Sequence, residues 1–458
     1  MVKKYSEEFL KKKARRASIS EGIFASIKTH LGDNFVQPFA IALNASSSVV
    51  ALLTSVAGLL WPFSQVYGSK LMQKKSRKKI TLSMSILRSF FWLSLIVLAV
   101  LSYKNLISWL LPALLLIFYG IYNLVAGIAY PSWFSWMGDI IDENHRGRWF
   151  SKRDLIIGFS GAAALIFASL FLDFSKNKGF VLIGFSILFF FAFVFRILSC
   201  YFLNKQYEPK LKIKEKNYFS FVQFLKRAPK TNFGKFTLFR AMMAFATTIS
   251  TALLAVYLLR YLGFNYLTYM VIVFGASVFS FFALELWGKF ADKYGNYRIL
   301  IITTFFTPII SLLWILHPSP IYLFFFPSLI NHVVNVGFNL ATNNFIYDNV
   351  SKQKRGGAIS YYNILQGVGV FFGSVLAAFL IKYLNTKIIP PIILIFLIST
   401  FVRMFVIAYW VPKLREVRKT QKFKGVESVG KLIKKDFRPT IIQEIHQITS
   451  IGKYLHLK

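Results

Sequence analysis

The run "LLPALLLIFYGIYNLVAGIAY" (Leu110–Tyr130) decides the fold class of this chain. It carries no charged residue, and roughly 20 apolar residues are enough to cross a bilayer as a helix. The run Phe180–Leu203 is equally apolar and contains one arginine. The whole chain of 458 residues is 55% hydrophobic and only 16% charged, whereas soluble domains carry more charge. The sequence therefore predicts an all-α integral membrane protein.

Apolar windows separated by turn residues predict twelve transmembrane helices. They cover residues 21–44, 47–67, 80–101, 107–136, 151–172, 179–203, 234–260, 266–287, 299–316, 320–346, 357–383 and 388–411. The longest internal polar connection divides them six and six. The predicted domains are a cytoplasmic tail (1–20), a six-helix bundle (21–203), a cytoplasmic central loop (204–233), a second six-helix bundle (234–412) and a basic cytoplasmic tail (413–458).

The positive charge of the chain is concentrated in particular connections between the predicted spans. The net charge is +37, and 44 of the 55 lysines and arginines lie in alternate connections and in the two tails. Cytoplasmic loops of membrane proteins carry this excess, so we expect both termini in the cytoplasm, and we expect the charge to orient the chain rather than to bind nucleic acid. The same charge favours contact with anionic lipids.

Two cytoplasmic loops resemble each other. "GDIIDENHRGRWFSKRD" (Gly138–Asp154) follows the fourth span, and "YDNVSKQKRGGAISYYN" (Tyr347–Asn363) follows the tenth. A shift of 209 residues aligns the Asp, Arg-Gly, Ser and Gly positions of the two loops. The match indicates an internal repeat of six helices, and parallel repeats of this kind build one class of transporters.

A third loop carries a family resemblance. "GKFADKYGNYR" (Gly288–Arg298) resembles the signature of the major facilitator superfamily, and it lies between the second and third spans of its half, where that family places it. The first-half copy, Gly68–Lys79, keeps the glycine and the basic cluster but has Met72 where the family has aspartate. The resemblance implies two pseudo-symmetric six-helix bundles around a central cavity. It also implies a transporter that works by alternating access.

In such a transporter, charged loops can close the cytoplasmic side of the cavity. Carboxylates at helix N-termini and arginine–carboxylate pairs form closures that can be released. The alternative is that these charges only orient the chain and keep the loops hydrated. The predicted cytoplasmic gate consists of Asp139, Arg146, Arg148, Glu285, Gly288, Asp292, Arg298, Asp348 and Arg355.

Polar residues inside the predicted spans are candidates for a solute cavity. In the tenth span four asparagines recur at intervals of four residues, which places them on one face of a helix. Hydrogen bonding between packed helices is the alternative reading, and His332 can be a satisfied interior histidine. The predicted cavity residues are His30, Asn34, Gln37, Tyr122, Asn123, Asn331, His332, Asn335 and Asn339.

Asp33 lies about halfway along the first predicted span. A carboxylate at that depth can exchange a proton during transport, so Asp33 is the candidate for proton coupling. The alternative is a structural partner for Lys28, His30 or Arg88. Two deep arginines, Arg196 and Arg403, could hold an anionic substrate, or could be paired or snorkel to the interface.

The predicted function is secondary active transport of a small organic solute, driven by a proton gradient. A facilitative uniporter or a multidrug exporter on the same fold is an alternative, and a non-transporting receptor or scaffold is an alternative from another class. An enzyme is not expected, because the sequence offers neither a nucleophile with a base nor a metal-binding cluster. We expect no cofactor, a monomer, and a multi-pass location in the plasma membrane.

Overall fold

The computed structural model describes residues 7–140, 146–209, 221–351 and 355–416. Within them the regular structure is entirely helical. The helices of the first half are α1 (Glu7–Leu31), α2 (Val36–Ala42), α3 (Ser47–Leu71), α4 (Arg77–Tyr103), α5 (Leu111–Ile140), α6 (Arg146–Asn177) and α7 (Val181–Asn204). Those of the second half are α8 (Phe221–Arg227), α9 (Asn232–Thr251), α10 (Tyr266–Phe274), α11 (Phe279–Tyr294), α12 (Asn296–Leu316), α13 (Pro320–Leu323), α14 (Leu329–Asn349), α15 (Arg355–Tyr383) and α16 (Pro391–Trp410).

The predicted all-α membrane fold is confirmed. Ten stretches of helix in the described part of the chain are long and apolar enough to cross a membrane. An eleventh span results if the pair Tyr266–Val278 and Phe282–Tyr294, which is bent by 42°, counts as one. The count of twelve stays a prediction, because the first predicted span is not one continuous apolar helix.

The first predicted span, residues 21–44, is broken near its middle. The helix α1 ends at Leu31, a 3₁₀ turn covers Asp33–Phe35, and α2 continues from Val36. Gly32 lies at the break, and a Cβ atom there would come within 2.5 Å of the Trp92 ring. The break therefore leaves Asp33 on a turn between two helices, where its carboxylate is free to accept hydrogen bonds from neighbouring helices.

The first helix also begins earlier than predicted. It starts at Glu7, so it continues through the predicted tail boundary at residue 20. Its first turn has two glutamates, which favour a helix N-terminus, and Glu7 pairs with Lys11 at 3.2 Å one turn later. Ala14 then packs in a buried cluster with Trp136 and Leu203, which holds this part of the chain against the following helices.

Serine side chains cap the N-termini of two helices. The Oγ atoms of Ser46 and Ser76 accept hydrogen bonds from the backbone N–H groups of Val49 and Lys79, at 3.4 and 3.2 Å. These serines satisfy donors that have no partner inside the helix. Both helix starts lie within three residues of the predicted span boundaries, at 47 and 80.

The chain separates into two compact units. Unit 1 comprises Met1–Glu215, Thr248–Met270 and Asn363–Ile392, and unit 2 comprises Lys216–Thr247, Val271–Tyr362 and Ile393–Lys458. The predicted bundles, 21–203 and 234–412, differ from these units by the exchanged segments and stay a prediction.

Aromatic side chains form much of the core of unit 1. Phe39 lies 5.3 Å from Phe185 and 5.0 Å from Phe189 between ring centroids, and Trp92 lies 5.8 Å from Phe189. Each of these four rings is fully buried. Tilted and edge-to-face pairs add about 0.5–1.5 kcal/mol each beyond the area that they bury. This packing fixes the relative positions of α2, α4 and α7, which frame the site below.

The central connection, predicted as a cytoplasmic loop, contains the short helix α8 (Phe221–Arg227). Phe224 is buried on it and stacks on Tyr361, with ring centroids 5.5 Å apart. Its last turn carries Lys226 and Arg227. A basic end beside aromatic rings is typical of a helix at a membrane surface, so we expect α8 to lie there.

Candidate functional site

Unit 1 contains a cavity of about 490 Å³ among its helices. Its lining mixes charged groups with aromatic rings, although every contributing helix except α1 is among the apolar candidate spans. The lining residues are Glu21, Gly22, Ala25, Ser26, Lys28, Thr29, His30, Trp61, Thr81, Ser85, Arg88, Asn123, Ala126, Ala129, Tyr130, Trp133, Arg153, Ile157, Arg196 and Leu203.

The helix α1 contributes one face to this cavity, because Glu21, Ala25 and Lys28 recur at helical spacing. The helix α6 approaches α1 closely through a glycine. A Cβ atom at Gly161 would lie 2.5 Å from Ser26 Oγ and 2.5 Å from His30 Cε1. Small residues allow such close approach of membrane helices. The α1 side chains can therefore point into the cavity instead of separating the two helices.

Asp33 is held by two donors at the break after α1. Lys28 Nζ lies 2.6 Å from Asp33 Oδ2, and the Tyr122 hydroxyl donates to Asp33 Oδ1. Lys28 Nζ also lies 3.4 Å from the Tyr122 hydroxyl. The Lys28 side chain is only 5% exposed, so it is paired inside the protein rather than extended to the interface. The predicted coupling residue thus has the structural partner that the sequence left as an alternative.

A second chain of polar contacts crosses the cavity from α6 to α4. Arg153 Nη2 lies 3.3 Å from Glu21 Oε2, and both side chains are more than nine-tenths buried. Ser199 Oγ donates to the other oxygen of Glu21 at 3.3 Å. Arg196 donates to Ser199 Oγ at 3.4 Å and to Ser85 Oγ at 2.6 Å. Glu21 is therefore shared by an arginine and a hydroxyl, while Arg196 contacts hydroxyls.

Arg88 forms no hydrogen bond or ion pair within the described residues, although its charge acts on Asp33. Its guanidinium carbon lies 4.1 Å from the centroid of the Tyr122 ring, which is a cation–π contact. The charges of Arg88 and Arg196 both act on Lys28, so the three cations lie close together. Like charges repel at such distances, and the two carboxylates of the site offset only part of this repulsion.

The structure brings together part of the predicted cavity set. His30 and Asn123 line the cavity, and Tyr122 lies beside it with Asp33. Two further members of the set are elsewhere: Gln37 donates to Thr54 Oγ1 at 3.2 Å, and Asn34 lies in the 3₁₀ turn. His30 Nδ1 donates to the carbonyl oxygen of Ser26 at 2.8 Å, which orients its ring along α1.

The second-half members of the predicted set belong to α14 in unit 2. Asn335 and Asn339 are exposed on this helix, and Asn335 donates to Asn331 Oδ1 at 2.7 Å. His332 Nε2 lies 3.0 Å from the carbonyl oxygen of Val273, as expected for a satisfied interior histidine. The stripe predicted from the spacing is therefore present on one helix, and its solute contacts stay a prediction.

The two deep arginines that the sequence identified have different partners. Arg403 in unit 2 donates to the carbonyl oxygen of Thr307 at 2.7 Å and to that of Thr247 at 3.3 Å. Backbone carbonyls of neighbouring helices thus hold Arg403 in place. Arg196 has the serine hydroxyls described above. The alternative of structural pairing applies to Arg403 more than to Arg196.

Among the predicted gate residues, Asp139 has the best-defined partner. Arg77 Nη1 lies 2.6 Å from Asp139 Oδ2, and the Arg77 side chain is 1% exposed. Arg77 also donates to Ser135 O at 3.1 Å and to Pro209 O at 2.8 Å. Its backbone N–H donates to Glu208 Oε1 at 2.7 Å. One arginine therefore connects the start of α4, the end of α5 and the segment after α7.

The other gate residues are distributed over both units. In unit 2, Asp348 Oδ2 accepts from Asn296 at 2.8 Å, and Glu285 pairs with Lys289 at 2.9 Å on the same helix. Asp292 is exposed and Arg298 is half-buried. Gly288 has open space around it. The side chains of Arg146, Arg148 and Arg355 lie outside the described part of the structure.

Sequence reasoning missed several residues that matter here: Glu21, Arg77, Ser85 and Arg153. Arg77 was assigned to a loop and Glu21 and Arg153 to span ends, because span boundaries were set where charges begin, whereas Ser85 lies inside a predicted span and carries no charge. The useful signal was the position of Glu21 and Arg153, which are the first and third residues of their predicted spans. Within the residues described, no group of three or more His, Cys, Asp or Glu side chains could hold a metal ion.

Comparisons with known proteins address the fold. A family model described as Major Facilitator Superfamily matches residues 18–284 and 236–442. A variant of the nucleoside transporter NupG is 12% identical, with a TM-score of 0.66 over 89% of this chain and 100% of its own. A bacterial homologue of the iron transporter ferroportin, in an inward-facing state, is 14% identical, with a TM-score of 0.60 over 89% and 100%.

A third structure, a bacterial homologue of the human lysosomal transporter Spinster, is also inward-facing and unoccupied. It is 14% identical, with a TM-score of 0.59 over 89% of this chain and 97% of its own. At these identities the likeness shows the fold alone. No curated protein sequence matches the chain.

Proposed function

Because the chain belongs to the major facilitator superfamily, we propose that it is a secondary active transporter that moves a small organic solute by alternating access and couples this movement to protons. It is a multi-pass membrane transporter and not an enzyme. The proposed location is the plasma membrane, with both termini in the cytoplasm. The proposed working form is a monomer, and its basic loops face anionic lipids.

The observation that carries the proposal is the polar cavity of unit 1. Charged side chains are expensive within a membrane-spanning structure, and they mark ion or solute pathways when they face a water-filled cavity. Here Lys28, Arg88, Arg153, Arg196 and Glu21 face one space of about 490 Å³. That volume is in the range of ligand pockets. A scaffold needs no such cavity, and the flux assay below separates transport from a receptor that only binds a ligand.

Asp33 is proposed to carry the coupling proton. It lies at a break in a helix, and broken helices form the solute and ion sites of many transporters. Its partners, Lys28 and Tyr122, are side chains that can move away when the cavity changes its exposure. In the proposed cycle Asp33 binds a proton when it separates from Lys28, and it releases the proton when the pair forms again.

The contacts of Arg77 are proposed to act as the first-half part of the cytoplasmic gate. Arg77 joins Asp139 to the chain after α7, so the ends of three helices move as one group. Asp348 with Asn296 is proposed as the corresponding contact in unit 2. Such hydrogen-bonded contacts can form and separate reversibly during each cycle.

The experiment that tests this function is a flux assay on the purified protein in proteoliposomes. A panel of labelled organic solutes is offered with and without an inward proton gradient, and protein-free liposomes serve as the control. Accumulation above equilibrium, only with the gradient, is the expected result. Equilibration without accumulation would indicate a uniporter, and the absence of flux for every solute would contradict transport.

A further inference from the structure

On the basis of the proposed transport function, we propose that the solute is an organic anion whose carboxylate or phosphate group is bound by Arg88 and Arg196 in the cavity of unit 1. The fold alone does not explain why these two guanidinium groups lack carboxylate partners, so the proposal concerns this chain in particular. It rests on the charge balance of the cavity, on the partners of each cation and on the shape of the cavity lining.

Two of the four cations at the cavity already have carboxylate partners. Lys28 pairs with Asp33 at 2.6 Å, and Arg153 pairs with Glu21 at 3.3 Å. Arg153 also lies 3.3 Å from Asp154, a third carboxylate whose side chain is 59% exposed. Cations therefore outnumber carboxylates at the site, and Arg88 and Arg196 have no carboxylate at ion-pair distance among the described residues. An unbalanced charge in the interior of a membrane protein is costly, and an anionic solute would remove that cost.

Arg88 and Arg196 are the two unbalanced cations. Arg196 is 9% exposed, and its hydrogen bonds go to the hydroxyls of Ser85 and Ser199. Arg88 packs over the ring of Tyr122. Neither arginine forms an ion pair with any residue in the described ranges. The Nε group of each is buried without a hydrogen-bond partner, so each guanidinium retains unused donors.

The two guanidinium groups approach the same part of α4. Arg196 Nη2 lies 2.6 Å from Ser85 Oγ, and Ser85 is three residues before Arg88. Side chains three residues apart lie on one helix face, with Cβ atoms about 5–6 Å apart. Arginine presents a planar set of donors that matches carboxylate and phosphate oxygens. One anionic group can therefore receive hydrogen bonds from both.

The rest of the cavity suits a ring rather than a long chain. Trp61 and Tyr130 lie with ring centroids 5.2 Å apart, and Trp133 also lines the cavity. Aromatic walls bind planar or apolar bodies. We therefore assign the solute to aromatic or cyclic carboxylates and phosphate monoesters, of a size that fits a cavity of about 490 Å³.

The test is a binding measurement by isothermal titration calorimetry on the purified full chain in a neutral detergent, without any gradient. The probes are benzoate, phenyl phosphate and benzamide, which share one ring and differ in charge. Benzoate and phenyl phosphate are expected to bind, and benzamide is expected to bind at least about tenfold more weakly, since it loses the charge-assisted hydrogen bonds. Equal affinity for benzoate and benzamide would overturn the proposal.

Variants assign the binding to the two arginines. Arg88→Gln and Arg196→Gln are each expected to weaken benzoate binding by about 10- to 100-fold, as expected for the loss of hydrogen bonds from a charged group. Arg88→Lys keeps the charge but not the planar donors, so its loss should be smaller. Arg260→Gln makes the same change at an exposed arginine of unit 1 and should leave the affinity unchanged.

Thermal unfolding of each variant checks that it is folded, and the lysine variant remains interpretable if a glutamine variant does not fold. Wild-type affinity in both folded glutamine variants would overturn the proposal.

An anionic lipid headgroup is the other source of the same chemistry. Nanodiscs of phosphatidylcholine, with and without phosphatidylglycerol, separate the two. If phosphatidylglycerol abolishes benzoate binding, the cavity holds a lipid headgroup and the assignment to a solute is wrong.

The binding assay also separates this inference from the transport function. Anion binding that depends on Arg88 and Arg196, without flux of any solute, would support this inference and contradict transport. Flux of neutral solutes, without anion binding, would support transport and overturn this inference.

Discussion

Arg77 offers the sharpest test of how unit 1 is held together. Its buried guanidinium donates to Asp139 at 2.6 Å, to two atoms of Ser135 at 3.1 Å and to the carbonyl of Pro209 at 2.8 Å. Arg77→Gln removes the guanidinium charge, so the carboxylates of Asp139 and Glu208 lose their cationic partner. Removing one partner of a buried ion pair costs about 3–5 kcal/mol. The Asp139 side chain is 47% exposed, so water offsets part of this loss, and we expect about 2–4 kcal/mol.

The measurement can use the single cysteine of the chain. Cys200 is 4% exposed, so a thiol-reactive fluorogenic dye reports its exposure when the purified protein unfolds. Domains of 150–250 residues lose roughly 2–4 °C in Tm per kcal/mol, so Arg77→Gln should lower the midpoint by about 5–15 °C. Arg77→Lys keeps one ion pair and should lose less.

Lys79→Gln is the matched control, because Lys79 is exposed two residues along the same helix. Its midpoint should stay within about 1–2 °C of the wild-type value, as is usual for surface changes. If Arg77→Gln unfolds at the same temperature as Lys79→Gln, the contacts of Arg77 do not stabilise the fold, and the argument for a connected group at the ends of α4 and α5 fails.

Three further predictions concern packing, topology and the second half. Gly161→Ala should destabilise the protein by about 1–3 kcal/mol, because its methyl group would lie 2.5 Å from an imidazole carbon on α1, whereas Gly158→Ala, with nothing within 4 Å, should be neutral in the same unfolding assay. In a cysteine-free background, a cysteine at Asn385 should react with a membrane-impermeant reagent from outside the cell and one at Ser76 should not, and the reverse pattern would contradict the orientation. Asn339→Ala should weaken solute binding in a titration, since it removes one amide of the stripe on α14, and unchanged affinity would make the stripe structural.

The sequence predicted most of the helices because apolar runs and basic loops are strong signals. Long runs such as Leu110–Tyr130 have one physical solution in a bilayer, a helix with all backbone groups paired. The predicted start at 47 is the start of α3, and the predicted end at 383 is the end of α15. The family resemblance in Gly288–Arg298 agrees with the family match. A loop with a glycine and charges at fixed positions is a local pattern, so it can be recognised from the sequence.

The sequence did not predict the site as a set of contacts. Gly32 at the break lies against the ring of Trp92, which is 60 residues away in the chain, so no local pattern predicts this contact. The pairing of Arg153 with Glu21 joins two helices that the sequence treats separately. Hydropathy placed these charges at span ends, although tertiary packing encloses them. The spacing of polar residues within one helix could predict only a feature of that helix, the asparagine stripe on α14.

The most direct test of the account is solute-driven proton movement in proteoliposomes loaded with a pH-sensitive dye, compared between the wild type and Asp33→Asn. Glu8→Gln makes an equivalent change at an exposed residue and is the control. Addition of a transported solute should move protons in the wild type and in the control. Asp33→Asn should show no proton movement, while exchange of labelled for unlabelled solute continues. Proton movement of wild-type size in Asp33→Asn would contradict the account, because coupling would then not depend on Asp33.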